Sequence, residues 1–326
     1  MVARSKPTDK SSFFSSIPSI GLSEPDSESL LVKACEEVGF FKVTNHAIPL
    51  EHMERLEAEA EKFFSLTQLE KENAAQASPF VYRNKSIGPN GDVGWVESLL
   101  LPIKAESISQ ISFSISKDNP DSFCSAANHY ILSVKKLACE VLELLAEGLK
   151  IQPRNVFSKL LMDEESDAVF RINHYPPCPE HQALDCNVIG FGEHTDPQII
   201  SVLRSNNTTG LQICLRDGSW VSVPPDKTSF YFIVGDVFQV LTNGRFSRVR
   251  HRVMASSTKP RVSMIYFGAP ALRERIAPLP MLLEGGEKSL YKEFTWYEYK
   301  NYAYRTILAD DRLRQFGREG ELIDES

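Results

Sequence analysis

Residues 190–196 read Gly-Phe-Gly-Glu-His-Thr-Asp and lie in a region of short β-branched and aromatic runs. In an extended backbone, residues i and i+2 point to the same side, so the His194 imidazole and the Asp196 carboxylate share one face. In a chain of 326 residues with 7 histidines, a lone His-x-Asp is close to what chance produces. A histidine in a surface turn before Pro197 explains it equally well. The pair alone therefore does not indicate a metal site, and further residues are needed to support one.

The region around this pair has the pattern of a β-domain. Its short apolar runs are separated by turn signals roughly every 8–14 residues, a spacing that is typical of a sandwich or small barrel. The turn signals are Asn206 to Gly210, Asp217-Gly218, Pro224 to Lys227, Asn243-Gly244 and Thr258 to Pro260. Residues 168–270 are therefore predicted to form one β-barrel core.

The segments on either side of this core are predicted to be mostly helical. Apolar residues recur at helical spacing in four segments, which are 27–38, 50–64, 121–149 and 153–162. Residues 17–20 and 40–44 read as short strands, residues 84–95 as a hairpin or functional loop, and residues 287–316 as helix. The predicted organisation is a disordered N-terminus (1–16), an α-rich N-terminal region (17–162), the β core (163–275) and a C-terminal helical segment that packs on it (276–326).

Composition narrows the class of protein. The 43 acidic residues exceed the 36 basic ones and give a formal net charge of −7, which argues against binding to nucleic acid or to an anionic membrane. No apolar run reaches the roughly 18 residues of a membrane span, and the N-terminus does not read as a secretory signal. The six cysteines do not form a dense disulfide pattern. A cytoplasmic enzyme with reduced thiols is expected.

A third possible metal ligand, His251, lies in the strand-like run 246–254. Several antiparallel strands between His194 and His251 can return the chain to the same end of the barrel. Two imidazoles and the Asp196 carboxylate form a facial triad, which suits Fe(II) and leaves positions open for substrate and oxygen.

Polar residues at strand spacing predict an anion site beside these ligands. Arg261 and Ser263 share one strand face, and Arg171, Asn173 and Tyr175 share another. An arginine inside a small barrel is costly unless it binds an anion. A guanidinium engages a carboxylate through paired hydrogen bonds, so Arg261, Ser263 and Tyr175 form a natural carboxylate clamp.

The sequence resembles the plant 2-oxoglutarate and Fe(II)-dependent dioxygenases over residues 17–305. The matching motifs are Glu37 to Phe41, Asn45 to Pro49, Asn173 to Cys178, His194-Thr195-Asp196, Gly235-Asp236, Asn243-Gly244, His251-Arg252 and Arg261-Val262-Ser263. Within that family, residues 84–97 resemble the gibberellin 2-oxidases, and the class that acts on C19 gibberellins in particular. Gly21, Ala47, Arg83 and Ser98 depart from the usual pattern, but none of them lies in the metal or co-substrate motifs.

The resemblance implies a double-stranded β-helix (jelly-roll) core and a defined chemistry. Fe(II) would be held by His194, Asp196 and His251, and 2-oxoglutarate by Arg261, Ser263, Tyr175 and Asn173. The expected reaction is gibberellin 2β-hydroxylation with O2, coupled to oxidative decarboxylation of 2-oxoglutarate to succinate and CO2. Ascorbate is expected to support full activity.

Substrate contacts are a further inference, which rests on strand alternation for Phe267 and on resemblance to pocket-lining positions of relatives for Phe238. A gibberellin is a rigid apolar skeleton with a carboxylate, so a mostly apolar pocket with few polar contacts is expected. Arg171 is the candidate partner of the carboxylate. The other candidates are Phe238, Phe267 and Tyr82.

Other interpretations stay open from sequence alone. The same chemistry could act at another gibberellin position (3- or 20-oxidation) or on a flavonoid, and a non-catalytic jelly-roll binding protein is a remote alternative. A monomer and a homo-oligomer are equally compatible with the sequence. His174 is expected to face away from the barrel interior, and His46 to pack in a turn. Cys178, His181 and Cys186 are too irregularly spaced to favour a zinc site.

Overall fold

The computed structural model describes residues 17–76, 81–87, 91–178, 188–283 and 287–318. The N-terminal segment 1–16, which was predicted to be disordered, lies outside these ranges.

Strands and helices alternate along the first half of the chain. They are β1 (Ser19–Gly21), α1 (Ser27–Glu37), β2 (Phe40–Thr44), α2 (Leu50–Phe64), α3 (Gln68–Gln76), β3 (Val81–Ser86), β4 (Val93–Pro102), α4 (Ala105–Ile115), α5 (Pro120–Gly148) and α6 (Ser158–Met162). A 3-10 turn, Arg154–Val156, precedes α6. The helices α1, α2 and α5 agree with the sequence prediction to within about one residue.

The second half of the chain is mostly strand. It contains β5 (Val169–Tyr175), β6 (Ile189–His194), β7 (Ile200–Ser205), β8 (Leu211–Cys214), β9 (Trp220–Ser222), β10 (Phe230–Val234), α7 (Asp236–Leu241), β11 (His251–Met254), β12 (Arg261–Gly268), β13 (Arg275–Ile276), β14 (Phe294–Thr295) and α8 (Trp296–Ala303). Two 3-10 turns, Pro280–Leu282 and Arg314–Phe316, complete the described elements.

Two sheets face each other to form the core. The large sheet has the order β1-β2-β10-β7-β12-β5-β4-β3, and the small one the order β6-β11-β8-β9. Apolar side chains from both sheets form one buried cluster between them, to which the large sheet contributes Tyr175 and Ile265 and the small sheet Phe191 and Ile213. This arrangement is the double-stranded β-helix that was predicted. Its interior is the space between the two sheets.

The N-terminal region contributes half of the large sheet, which was not predicted. β1 to β4 all lie in that sheet, and β4 pairs antiparallel with β5 along its length. The apolar run Leu99-Leu100-Leu101 hides the alternation of β4, although Leu99 and Leu101 face the helices and Ser98 faces the interior. The β core of residues 163–275 is therefore completed by strands from the preceding region.

Helices cover the outer face of the large sheet. The long helix α5 packs against α1, α2 and α4 and buries an apolar stripe that includes Tyr130, Val134, Leu137 and Val141. The described residues include no helix that is long and apolar enough to cross a membrane.

The C-terminal segment contains less helix than expected. Within its described residues, α8 is the one α-helix, and its first turn is closed by a capping box between Thr295 and Glu298. The remainder consists of β13, which pairs with β14, and of turns. The helical periodicity ends where α8 ends, and the chain beyond it is fixed by contacts with the core.

Gly39 ends α1 in a position that only glycine fits, because its φ is +71° and an added Cβ would lie 1.8 Å from the Ser247 carbonyl oxygen. We expect Gly39→Ala to lower the free energy of unfolding by about 3 kcal/mol or more, since the clash is with backbone. Gly218 is a matched control, because its φ is +80° but nothing lies within 4 Å of the added Cβ. Gly218→Ala should cost only about 1 kcal/mol. Urea denaturation measures both, and equal losses would contradict the steric argument.

Candidate metal and carboxylate site

Pairing between β6 and β11 brings the two candidate histidine ligands together. His194 is the last residue of β6 and His251 the first of β11, and the two are direct partners in the antiparallel register. Such partners lie close enough for their side chains to touch, and the two imidazole centroids are 4.1 Å apart. Asp196 follows β6 and places Oδ1 3.5 Å from His194 Nε2 and 3.7 Å from His251 Nε2.

Hydrogen bonds orient all three side chains toward one point. The Nδ1 of His194 lies 2.8 Å from the Gly192 carbonyl oxygen, and the Nδ1 of His251 lies 3.3 Å from that of Val249. A carbonyl only accepts, so each Nδ1 carries the proton and each Nε2 keeps its lone pair. Ser201 donates to Oδ2 of Asp196 at 2.6 Å, which leaves Oδ1 available.

These three residues fit a divalent metal ion. Their donor atoms all lie within 4.8 Å of one another. Burial is the main cause that holds the pKa of His194 well below its ordinary value, so its ring is neutral and able to ligate. Two imidazole nitrogens and one carboxylate oxygen are the donor set expected for Fe(II) with open positions.

Hydrogen bonds from polar residues outside the triad stabilise the loop that carries Asp196. These residues were not identified as site residues from the sequence. The Asp236 amide donates to the Asp196 carbonyl at 2.7 Å, and the buried Asp236 carboxylate accepts from the Tyr299 hydroxyl at 2.6 Å. The guanidinium of Arg312 donates to the Thr195 carbonyl. Asp236 had been noted only as a motif residue. The C-terminal segment therefore braces the metal-binding loop.

Ser201 was also missed, although a serine between the apolar residues Ile200 and Val202 is a detectable signal. It lies in β7 and is fully buried. Its hydrogen bond to Asp196, five residues earlier in the chain, spans the turn between β6 and β7.

The expected carboxylate clamp lies on the inner face of the large sheet. Pairing of β12 with β5 sets Arg261 opposite Tyr175 and Ser263 opposite Asn173. The Arg261 guanidinium lies 5.3 Å from the Tyr175 ring centroid. Arg261 is only 1% exposed, yet none of its side-chain nitrogens has a hydrogen-bond partner within the described part of the chain, and neither does Ser263 Oγ.

Unpaired buried donors of this kind fit an anionic ligand. Burial lowers the pKa of Arg261, which reflects the cost of keeping its charge away from water. A carboxylate that accepts from Arg261 and Ser263 would offset that cost. These side chains therefore suit the far carboxylate of 2-oxoglutarate.

Arg171 also points into the interior, as the strand alternation predicted. Its Nε donates to Asn173 Oδ1 at 2.8 Å, and its Nη2 donates to Ser98 Oγ at 3.1 Å. The guanidinium lies 5.0 Å from the centroid of the Phe191 ring. That ring is 4.6 Å from the ring of His194, so Arg171 lies beside the metal ligands.

The two phenylalanine candidates are in different places. Phe267 packs against the interior cluster, on the face expected from alternation. Phe238 does not line the interior, and that prediction was wrong. It lies on α7, fully buried in the core outside the barrel, against Phe157 at 4.9 Å and Phe246 at 5.1 Å. The residues after Gly235 form a helix rather than a strand, which turns this side chain away from the site.

Tyr82 also lies outside the barrel, which corrects its assignment as a substrate contact. It pairs with Leu99 in β4, and both lie on the helix-covered face of the large sheet. Its hydroxyl lies 2.7 Å from Glu97 Oε2. The same carboxylate is bound by Lys71 Nζ at 2.6 Å and by His174 Nδ1 at 2.7 Å. His174 thus faces away from the interior, as expected.

The Glu97 cluster stabilises the strand pair that carries the interior polar residues. Lys71 and Glu97 are both buried, at 6% and 7% exposure. Burial favours a higher pKa for Glu97, but hydrogen bonds from His174, Lys71 and Tyr82 outweigh it and lower the pKa. A carboxyl with a lowered folded-state pKa adds stability above its unfolded value, and this stability is lost as the pH falls through the folded value.

We therefore expect Glu97→Ala to lower the free energy of unfolding at neutral pH by about 3 kcal/mol, because it leaves the Lys71 ammonium buried without a counter-charge. The control is Glu54→Ala, which removes the carboxylate of an ion pair with Lys227 in which both side chains are exposed and should cost much less, because exposed ion pairs contribute little to stability. Urea denaturation measures both variants at neutral pH and again below the Glu97 pKa, where the two losses should approach each other. A Glu97→Ala loss that persists unchanged in acid would contradict the ionic argument.

Two further side chains bear on the alternatives. His46 bonds the Thr228 carbonyl at 2.9 Å and packs edge-on against Phe230, which agrees with a structural role. Cys178 is buried, while His181 and Cys186 lie outside the described residues. Residues 88–90 of the turn-rich segment also lie outside them, and the described parts on either side form the β3–β4 hairpin.

Comparison with known proteins agrees with this geometry. The 2OG-Fe(II) oxygenase superfamily matches residues 166–270, and the family described as non-haem dioxygenase in morphine synthesis N-terminal matches residues 17–97. A gibberellin 2-beta-dioxygenase of Phaseolus coccineus is 58% identical over 95% of this chain and 94% of its own. Gibberellin 2-beta-dioxygenase 1 of Pisum sativum is 57% identical over 98% and 99%.

Among solved structures, JOX2 in complex with 2OG, Fe and JA is similar over 93% of this chain and 89% of its own. The TM-score is 0.78 and the sequence identity 25%. The ligands of that complex, iron and 2-oxoglutarate, are the two for which the triad and the Arg261 clamp are suited. By sequence and by fold, this chain belongs to the gibberellin 2-beta-dioxygenase family of the 2OG-Fe(II) oxygenases.

Proposed function

We propose that the protein hydroxylates gibberellins at carbon 2 in the β configuration. One oxygen atom of O2 enters the C–H bond, and the other enters 2-oxoglutarate, which loses CO2 and leaves as succinate. The observation that carries this proposal is the pair of features in one interior, the three convergent metal ligands and the buried, unpaired Arg261. The substrate class rests on the sequence identity to the gibberellin 2-beta-dioxygenases of Phaseolus coccineus and Pisum sativum.

The site residues form two groups, one that would hold the metal and one that would hold the far carboxylate of 2-oxoglutarate. His194, Asp196 and His251 would hold Fe(II), which when bound would activate O2 as the oxidant, a chemistry that no protein side chain supplies. Arg261 and Ser263 hold the far carboxylate of 2-oxoglutarate, with Tyr175 and Asn173 beside them. The apolar interior keeps water from the reacting carbon. Ascorbate, by keeping the iron reduced, supports repeated turnover.

Product analysis tests the proposal. The protein is incubated with several C19 and C20 gibberellins and a flavonoid, together with Fe(II), 2-oxoglutarate and ascorbate. We expect one 2β-hydroxylated product per succinate from the C19 compounds and none from the flavonoid. A hydroxyl group at carbon 3, oxidation at carbon 20 or turnover of the flavonoid would assign the same chemistry to another reaction. Omission of ascorbate should lower the number of turnovers without changing the product.

A further inference from the structure

We propose that Arg171 binds the carboxylate of the substrate and so sets the preference for an acidic substrate. This inference rests on the proposed function and adds to it the residue that recognises the ligand. It also assigns separate sites to the two carboxylate-bearing ligands in one interior.

The first observation is that the Arg171 charge has no acidic partner. Its two hydrogen bonds go to the neutral oxygens of Asn173 and Ser98. Within the described ranges, no carboxylate forms a salt bridge with it, whereas Arg204, on strand β7 of the same sheet, pairs with Glu57. Arg171 is half-buried, and keeping its charge partly away from water with only neutral hydrogen-bond partners is costly. A ligand anion would offset that cost.

The second observation is that Asn173 and Ser98 fix the direction of the side chain. They occupy Nε and Nη2 of Arg171 and hold the planar group against the Phe191 ring. A guanidinium has five N–H donors, so donors remain for a ligand after these bonds are made. A pre-oriented fork of this kind binds a carboxylate with little loss of side-chain entropy.

The third observation is the distance from the Arg261 clamp. Arg171 is paired with Ile265 and Arg261 with Tyr175, so the two arginines are four residues apart along β12 and β5. At about 3.3 Å per residue this corresponds to about 13 Å along the sheet. A 2-oxoglutarate held at Arg261 therefore leaves Arg171 free for another anion. Arg171 instead lies beside Phe191 and His194, where a reacting substrate must be placed.

The interior surface near Arg171 suits the rest of such a ligand. Phe191 and Phe267 provide apolar area on the two sheets, and Phe267 lies on the same strand face as Ile265. A rigid apolar acid could thus place its carboxylate on Arg171 and its skeleton against these rings.

A structural role for Arg171 is the competing explanation, because the side chain also joins β4 to β5. The test therefore changes the charge on both sides of the contact. Binding of a C19 gibberellin and of its carboxyl methyl ester is measured by calorimetry under nitrogen, with Fe(II) and 2-oxoglutarate present and no turnover. The proteins are the wild type, Arg171→Gln, Arg171→Lys and Arg83→Gln.

We expect the wild type to bind the free acid roughly 10- to 100-fold more tightly than the ester. Arg171→Gln should bind both with nearly equal affinity, and Arg171→Lys should recover part of the preference. Arg83 pairs with Ser98 on the adjacent strand and therefore lies on the same sheet face as Arg171, so it is the rival cation for the carboxylate. If Arg171 binds the carboxylate, Arg83→Gln should keep most of the preference. In all variants the KM for 2-oxoglutarate should stay within about 2-fold.

A structural role predicts another pattern, in which Arg171→Gln weakens the acid and the ester by the same factor. That outcome, or a loss of the preference in Arg83→Gln instead, overturns the assignment. If Arg171→Gln fails to fold, the acid-to-ester affinity ratios of Arg171→Lys and of the wild type still distinguish carboxylate binding from a structural role. Failure of the proposed function is recognised separately, because wild-type protein would then give no 2β-hydroxylated product.

Discussion

We expect His251→Ala to lose Fe(II) binding and to lower kcat by on the order of 1,000-fold or more. His251 is 5% exposed, and its Nε2 is one of three donor atoms within 4.8 Å of one another. Removing it leaves one imidazole and one carboxylate, which cannot fill a face of an octahedral ion. The contribution of a metal to catalysis amounts to several kcal/mol, and each 1.36 kcal/mol corresponds to a factor of ten.

Iron content after anaerobic loading and dialysis separates loss of the metal from loss of the fold. His52→Ala is the control, because His52 lies on α2, stacked on His129 and remote from β6 and β11. We expect this control to retain both iron and activity. Full iron occupancy in His251→Ala, with low activity, would place the metal elsewhere and contradict the triad.

Strand alternation predicted the interior polar residues, because within one strand it depends only on sequence spacing. Arg171, Asn173 and Tyr175 all lie on the inner face of β5, as their spacing of two requires. The same rule placed Phe267 on the inner face of β12. The β core was predicted as well, because the turn signals that separate its strands are local features of the sequence.

The rule does not extend from one strand to the next, which is why Tyr82 was misplaced. Its face depends on the register of β3 on β4 and of β4 on β5, and a shift by one residue reverses the face of every side chain. No sequence pattern in residues 93–102 reveals that register. Phe238 was misplaced for another reason, because it was chosen by resemblance to pocket-lining positions of related enzymes. In this chain it lies on α7, which directs its side chain away from the interior.

The supports of the metal ligands could not be predicted, because they come from distant parts of the chain. Tyr299 reaches Asp236 from α8, and Arg312 reaches the Thr195 carbonyl from the chain that follows α8. Each such contact requires the sheet order and the path of the C-terminal segment. The ligands themselves follow from spacing, whereas the residues that orient them follow from topology.

The second large effect is expected at Arg261, where ligand binding and stability should change in opposite directions. Arg261→Met should raise the Kd for 2-oxoglutarate about 100-fold or more, because two charge-assisted hydrogen bonds contribute about 1.5–3 kcal/mol each. The same change should raise the free energy of unfolding of the ligand-free protein by about 1–2 kcal/mol. Arg261 is buried, and its nitrogens have no hydrogen-bond partner among the residues that the structure describes, whereas methionine fills a similar volume without a charge to desolvate.

Arg204→Met is the matched control, because Arg204 is equally buried on the neighbouring strand β7 but is ion-paired with Glu57 and donates to the Lys227 carbonyl at 2.9 Å. Its loss should lower the free energy of unfolding by about 3 kcal/mol and leave the Kd for 2-oxoglutarate unchanged. The sign of the stability change thus separates an arginine that the fold uses from one reserved for a ligand.

Denaturation with and without 2-oxoglutarate measures both effects in one experiment, under nitrogen with Fe(II). At 100 times the wild-type Kd, the ligand should stabilise the wild type by about 2.7 kcal/mol, and a variant with a 100-fold higher Kd by only about 0.4 kcal/mol. If Arg261→Met were less stable than the wild type without ligand, then Arg261 would have a structural partner, and the argument from its unpaired nitrogens would fail. If the variant were more stable and still fully stabilised by 2-oxoglutarate, the carboxylate would bind elsewhere. Only greater intrinsic stability together with a lost response to the ligand agrees with a guanidinium that is kept buried and unpaired for the co-substrate.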